Sequence, residues 1–172
     1  QVKIGHNEAN LSDDTDIVVI STAIRENNPE LVKARQLGIP VYHRSDLLEE
    51  IAKTAQQSGK CFIGFSGTHG KTTTTSMITQ ILFTAGVDLS AFIGGKLPCI
   101  GGSGRAGKSD IMVCEACEFV DTFLKLYPDV AVILNIDEDH LDYFKNLENI
   151  IKSFRKFSEM AVSYTHLTLP TT

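Results

Sequence analysis

The stretch from Lys60 to Thr75, Lys-Cys-Phe-Ile-Gly-Phe-Ser-Gly-Thr-His-Gly-Lys-Thr-Thr-Thr-Thr, constrains the fold more than any other part of the chain. Cys61 to Phe65 is an apolar run of strand length, Gly67 and Gly70 free the backbone for a turn, and Lys71 opens a helical pattern. Met77, Ile78, Ile81, Leu82 and Ala85 fall on one helical stripe, and Gly86 stands where a left-handed C-cap ends a helix. A helix N-terminus behind a glycine turn presents unpaired N–H groups and a positive dipole end, which suits a polyphosphate. Lys71 would add a point charge at the β/γ-phosphates, and the Thr72 hydroxyl could ligate Mg²⁺. The motif is shorter than the standard phosphate loop. That pattern requires glycine five residues before Gly70, where this chain has Phe65; Gly64 comes one residue too early.

A chain of 172 residues fits one ordinary domain, or one domain and part of another. With 42% hydrophobic and 22% charged residues it reads as a soluble globular protein. A net charge of −5 argues against a nucleic-acid binder. No apolar run reaches bilayer-spanning length and no signal-peptide pattern opens the chain, so no membrane association is expected, and no protein partner is evident. Cysteines 61, 99, 114 and 117 make no disulfide framework. Cys61 and Cys114 read as small core residues, and the Cys114–Cys117 spacing lacks a second pair, so a reducing compartment fits best.

Strand and helix patterns alternate along the chain, which predicts an α/β fold. Residues 1–58 form a first, Rossmann-like unit. Its pieces are strands at Val2–Gly5, Asp16–Ile20 and Pro40–Tyr42, a helix capped by Asn28-Pro29-Glu30 with Leu31, Ala34 and Leu37 on its apolar face, and a helix through Leu47, Leu48, Ile51, Ala52 and Ala55. Residues 59–161 form a second, doubly wound parallel-sheet unit around the phosphate turn. Ser90–Ile93, Asp110–Cys114 and Val130–Leu134 are its further strands, and Asn146–Ala161 is an amphipathic helix. The glycine-rich stretch from Gly94 to about Asp110 reads either as a surface loop or as a mobile substrate loop. Glu115, Asn135 and Asp137-Glu-Asp-His140 follow strands, so they share the carboxyl rim with the turn and are candidates for a metal or nucleotide role. After Ala161 the character changes: Val162–Thr172 is uncharged, holds four threonines and reads as a non-native, adapter-derived tail. His166 within it carries no functional weight.

Four motifs together resemble the Mur ligases: Gly67-Thr-His-Gly-Lys-Thr-Thr-Thr74, Glu115-Ala-Cys-Glu118, Phe123-Leu-Lys-Leu-Tyr-Pro128 and Asn135-Ile-Asp-Glu-Asp-His-Leu-Asp-Tyr-Phe144. Ile4-Gly-His6, Val18–Ile24, Asn28-Pro-Glu30 and His43–Leu48 resemble that family's first domain. Where many members read Glu-Ala-Asp-Glu, this chain has Glu-Ala-Cys-Glu, which leaves Glu115 in place and puts any role for residue 117 in question. The resemblance implies a partial UDP-substrate domain followed by a P-loop-type ATPase domain that is incomplete here, in a cytoplasmic, peptidoglycan-building ligase. It further implies that ATP lies on Gly67, Thr68, His69, Gly70, Lys71, Thr72 and Thr73, and that Lys71 and His140 act catalytically. Mg²⁺ would sit on Thr72 and Glu115, with a second ion on Glu115 and His140, while His6, Ser21 and Asn135 would face substrate. The implied substrates are UDP-N-acetylmuramate and L-alanine, joined through an acyl phosphate, and a chain lacking the family's third domain is expected to be inactive. A sister ligase adding a preformed peptide, a folylpolyglutamate synthase, a P-loop kinase or GTPase, and a non-catalytic nucleotide-binding module are the rival readings. The His69 turn and the Asn135–Phe144 run favour alanine addition.

Overall fold

The computed structural model describes residues 2–161; the tail Val162–Thr172, with His166, lies outside the described residues. The chain divides into two compact units, Gln1–Glu50 and Ile51–Thr172. In the first, strands β1 (Val18–Ile20) and β2 (Val41–His43) pair in parallel, with helix α1 (Pro29–Gln36) between them in sequence. Asn28 caps α1, its side-chain oxygen accepting from Glu30 N at 2.9 Å and Leu31 N at 3.2 Å, and Leu31 and Ala34 are buried. Leu37 lies past the last helical residue and stays exposed. Residues 2–5 are not a strand: among the described residues no strand pairs with them, Gly5 O accepting instead from the Asn10 side chain at 3.1 Å, and Val2 and Ile4 are fully exposed. An extended segment without a neighbour leaves its backbone groups to water.

Helix α2 (Arg44–Gln57) holds the division between the two compact units, after Glu50. Its last turns belong to the second unit. Ala52 and Ala55 are buried, and the Gln56 amide donates to Tyr127 O at 2.8 Å.

The second unit is built on β3 (Cys61–Ser66), α3 (Lys71–Thr84), β4 (Ser90–Leu97), β5 (Gly102–Arg105), β6 (Ile111–Glu115), β7 (Val130–Ile133), α4 (Leu141–Phe144) and α5 (Leu147–Met160). The five strands lie in the order β5-β4-β6-β3-β7, all parallel except β5. Thus the stretch from Gly94 is no loop at its start. β4 runs on to Leu97, turns over Pro98–Ile100 and returns as β5, and Arg105 ion-pairs with Asp88 and stacks over the Phe83 ring at 5.1 Å.

Alternation along β3 sorts the two covered faces. Phe65 packs with Leu89 and Val113 against Ile78, Leu82 and Phe83 of the α3 side. On the other face, a Cβ at Gly64 would lie 3.2 Å from Pro128 Cβ and 3.5 Å from the Phe157 ring. Gly64 is therefore a packing residue and not a displaced member of the phosphate turn. Phe157 stacks on Phe123 at 4.7 Å, and Phe154 meets Phe123 edge-on at 5.2 Å.

Helix α3 departs from its expected apolar stripe. Ile78 and Leu82 face inward, but Met77 and Ile81 are each 59% exposed, and the fully buried positions are Thr75 and Thr79. The Thr75 hydroxyl is satisfied there by donating to Lys71 O at 2.8 Å, one turn back, whereas the Thr79 hydroxyl is buried without a hydrogen-bond partner. Gly86 (φ 84°) ends the helix as expected, with Gly86 N donating to Phe83 O and Val87 N to Leu82 O.

Gly64→Val should lower unfolding stability by about 2–3 kcal/mol, the range of an overpacked core position. A urea-unfolding midpoint equal to that of the parent would show that Pro128 and Phe157 yield freely.

Candidate functional site

The turn after β3 adopts backbone conformations that only glycine takes readily, with Gly67 at φ 143° and Gly70 at φ 83° capping α3. Among the described residues the N–H groups of Gly70, Lys71, Thr72 and Thr73 have no acceptor, so four donors point away from the helix start. The turn is braced from β7. Asn135 Oδ1 accepts from His69 N at 2.9 Å, Asn135 Nδ2 donates to His69 O at 2.9 Å, and Thr68 N donates to Asn135 O at 3.2 Å. Asp137 N donates to the Thr68 hydroxyl at 2.8 Å. Asn135, placed by the sequence among substrate contacts, spends its amide on the backbone of the turn.

Glu115 ends β6 and reaches across the sheet edge. Its Oε1 accepts from the Thr72 hydroxyl at 3.0 Å and its Oε2 from Gly94 N at 2.7 Å. A side chain at position 94 would push this carboxylate from its place, since a Cβ there would lie 2.6 Å from Oε1. Gly94 therefore lets β4 close on Glu115, which is why a glycine-rich segment begins there.

Lys71 points to a third group. Its ammonium donates to Gly67 O at 2.6 Å, Thr68 O at 3.1 Å and Glu118 Oε1 at 3.0 Å, with Glu118 Oε2 also 3.0 Å away. The Lys71 side chain is 13% exposed and that of Glu118 3%. His140, in the left-handed region at φ 49°, places Nε2 3.9 Å from Glu118 Oε1 and rests on the Phe119 ring at 4.7 Å. Its charged neighbours are Glu118 and Asp139, whereas Glu115 is occupied with Thr72 and Gly94. The structure thus joins Thr72 with Glu115, and Lys71 with Glu118 and His140.

Glu118 is the site residue that sequence reasoning passed over, although it stands inside the Glu115–Glu118 motif. The second acid of that motif was the available signal. Thr73 is exposed on the first turn of α3. In the first unit His6 lines a depression of about 290 Å³ with Ile24, Arg25 and Asn28, and lies 3.7 Å from Glu30; exposed Ser21 caps a neighbouring turn, its carbonyl accepting from Ile24 N. Cys114 is buried, which pushes its thiol far above the ordinary range, and all four cysteines are free. Among the described residues no three histidine, cysteine or acidic side chains converge as a metal cluster, and no helix is long and apolar enough to cross a membrane.

A mainly parallel sheet in which an interior strand leads through a glycine turn into a helix, with a lysine and a threonine opening that helix, defines a P-loop-type α/β domain. Comparison with known proteins carries this further. Residues 65–169 match the Mur ligase middle domain and residues 1–56 the Mur ligase family catalytic domain, and the chain belongs to the Mur ligase family. It is 49% identical over 157 residues to the UDP-N-acetylmuramate--L-alanine ligase of Acetivibrio thermocellus, covering 91% of this chain and 32% of that protein. The enzyme of the same name from Caldanaerobacter subterraneus subsp. tengcongensis is 51% identical over 148 residues, covering 86% and 31%. The chain therefore spans about a third of the length of these relatives. The crystal structure of UDP-N-acetylmuramate-alanine ligase from Thermotoga maritima superposes with a TM-score of 0.80 at 30% identity, covering 91% of this chain and 36% of that one. A UDP-N-acetylmuramate:L-alanyl-gamma-D-glutamyl-meso-diaminopimelate ligase from Neisseria meningitides gives 0.74 at 28%, covering 93% and 53%.

Because one Asn135 amide pairs both the N–H and the C=O of His69, Asn135→Ala should speed hydrogen exchange at the His69 amide by roughly five- to tenfold, as loss of a net bond of about 1–1.5 kcal/mol implies. Asn135→Asp keeps the acceptor and should preserve most of the protection. Equal exchange in parent and alanine variant would mean that the turn is rigid without this brace.

Proposed function

We propose that this chain is the phosphate-handling portion of an ATP-dependent ligase that joins L-alanine to the carboxylate of UDP-N-acetylmuramate, in cytoplasmic synthesis of peptidoglycan precursors. The observation that carries the reading is a glycine turn opening α3, with the Lys71 ammonium folded back on the turn's own carbonyls and the Thr72 hydroxyl on Glu115. That site stands in a chain 49–51% identical to proteins bearing this activity in their names.

The ATP phosphates would lie on the N–H groups from Gly70 to Thr73, with the Lys71 ammonium neutralising charge between the β- and γ-phosphates. The substrate carboxylate oxygen attacks the γ-phosphorus in line; the new O–P bond forms as the bond to the β-bridging oxygen breaks and ADP leaves. The amine nitrogen of L-alanine then attacks the acyl carbon. The C–N bond forms, the C–O bond to phosphate breaks, and the amine gives up a proton as inorganic phosphate departs. Forming the acyl phosphate is necessary because a free carboxylate is a poor electrophile.

A magnesium ion fits the donor set at Thr72 and Glu115: a hydroxyl and a carboxylate are hard oxygen ligands, and Mg²⁺ is held by one or two carboxylates plus substrate phosphates. When bound it would supply charge neutralisation to the phosphate oxygens. His140, a nitrogen donor facing Glu118, suits a second ion less well by the same chemistry. The first unit, with His6 and Ser21, would take the sugar nucleotide.

The test is phosphate release by the full-length ligase supplied with ATP, UDP-N-acetylmuramate and either L-alanine or the preformed peptide L-alanyl-γ-D-glutamyl-meso-diaminopimelate. Release dependent on L-alanine is expected, and release dependent only on the peptide would move the assignment to the sister ligase. Lys71→Ala should cut turnover by about 10²–10³, as loss of a transition-state charge partner does. Glu115→Ala should raise the magnesium concentration needed for half-maximal rate. A magnesium requirement unaltered by that change would remove Glu115 from the metal site.

A further inference from the structure

We infer that Glu118 is a positioning residue of the phosphate site, competing with the incoming polyphosphate for Lys71 and fixing where the ammonium stands. The inference rests on the reading of this turn as an ATP site and adds to it a residue with no assigned part.

A lysine ammonium has three N–H donors. In this structure all three are spent inside the protein, on Gly67 O, Thr68 O and Glu118 Oε1. A phosphate can therefore recruit Lys71 only by taking a donor from one of these acceptors. Two are neutral carbonyls of the turn itself, and the third is an anion. Glu118 is also poorly able to lose its partner. It is 2% exposed, its Oε2 is buried without a hydrogen bond, and the next cationic candidate, His140 Nε2, lies 3.9 Å off. A buried carboxylate stripped of its counter-ion is strongly disfavoured. Binding a second anion at Lys71 must work against that cost.

The same contact has a second consequence. Lysine carries its charge on a flexible four-carbon stem, so an ammonium without an anchor samples many positions. Glu118 restrains it beside the turn, next to the N–H groups that would meet the β- and γ-phosphates. Removing the carboxylate should thus act in opposite directions on binding and on turnover. A residue that merely supported the fold would weaken both.

The experiment uses the full-length ligase, with ADP and inorganic tripolyphosphate as probes in titration calorimetry and steady-state kinetics on the same preparations. Glu118→Gln keeps the shape and replaces a charged acceptor with a neutral one. It should bind tripolyphosphate roughly five- to tenfold more tightly, the difference between a charge-assisted and a neutral hydrogen bond, while kcat falls roughly ten- to a hundredfold. In a Lys71→Met background the tightening should vanish, because the competition acts through that ammonium. Glu118→Asp, for use if the glutamine variant does not fold, should shift both quantities in the same directions by less. Unchanged or weaker tripolyphosphate binding by a folded Glu118 variant overturns the inference, as does tightening that persists without Lys71. If the parent binds neither ADP nor tripolyphosphate, the phosphate-site reading itself fails and this inference with it. If the parent binds and Glu118→Gln does not tighten, only the inference fails.

Discussion

The site depends on β3 lying between two parallel neighbours. With β6 on one side and β7 on the other, the segments leaving all three strands emerge at one edge of the sheet. The segment after the middle strand is then within side-chain reach of both others, since adjacent strands are about 4.8 Å apart. This is why Thr72 can meet Glu115, 43 residues later, and His69 can meet Asn135, 66 residues later. An antiparallel neighbour on either side would have sent its following segment to the opposite edge. The antiparallel strand β5 sits at the far margin, where it leaves the arrangement intact.

The edge so formed adds little to stability. Lys71 and Glu118 are a nearly buried ion pair, and such pairs seldom stabilise a fold beyond what apolar residues of the same volume would contribute. The backbone N–H groups from Gly70 to Thr73 likewise go without protein partners. Most buried or half-buried backbone donors are paired. Every α-helix leaves its first N–H groups free, and here a glycine turn and the Lys71 ammonium stand beside them.

Much of this was legible from residue order. The strand–turn–helix of residues 61–84, the Asn28-Pro29 helix start and the strands ending near Glu115 and Asn135 rest on local rules of apolar period, capping and glycine placement, and the structure has them where those rules put them. What escaped depends on partners distant in sequence. Met77 and Ile81 satisfy the helical stripe as well as Ile78 and Leu82 do; only the sheet decides that the close-packed face is Thr75 and Thr79. The glycines at 94 and 95 look like loop formers until Glu115 and Thr72 are seen filling the space where side chains would stand. Asn135 was placed on the correct rim, yet its bracing of the His69 peptide cannot be read from a strand-end asparagine alone.

Glu118 shows why a residue inside a noticed motif can stay unassigned. Two residues beyond Glu118 the chain passes through two successive left-handed residues, Val120 (φ 54°) and Asp121 (φ 55°). For a β-branched residue that conformation is a true outlier, and the pair costs on the order of 1–3 kcal/mol per residue. Compensation comes from 22 and 32 residues downstream. Asp121 accepts from the Tyr143 hydroxyl at 2.8 Å and from the Ser153 hydroxyl, while its own N–H donates to Glu118 O at 2.9 Å. Hydrogen bonding to that carboxylate holds the Tyr143 hydroxyl above its usual pKa, so the donor stays protonated. α4 and α5 therefore hold the turn that presents Glu118, and α4 is the helix that His140 caps. The acid and the histidine facing it are aimed by one clamp, so strain in one short turn supports the geometry around Lys71.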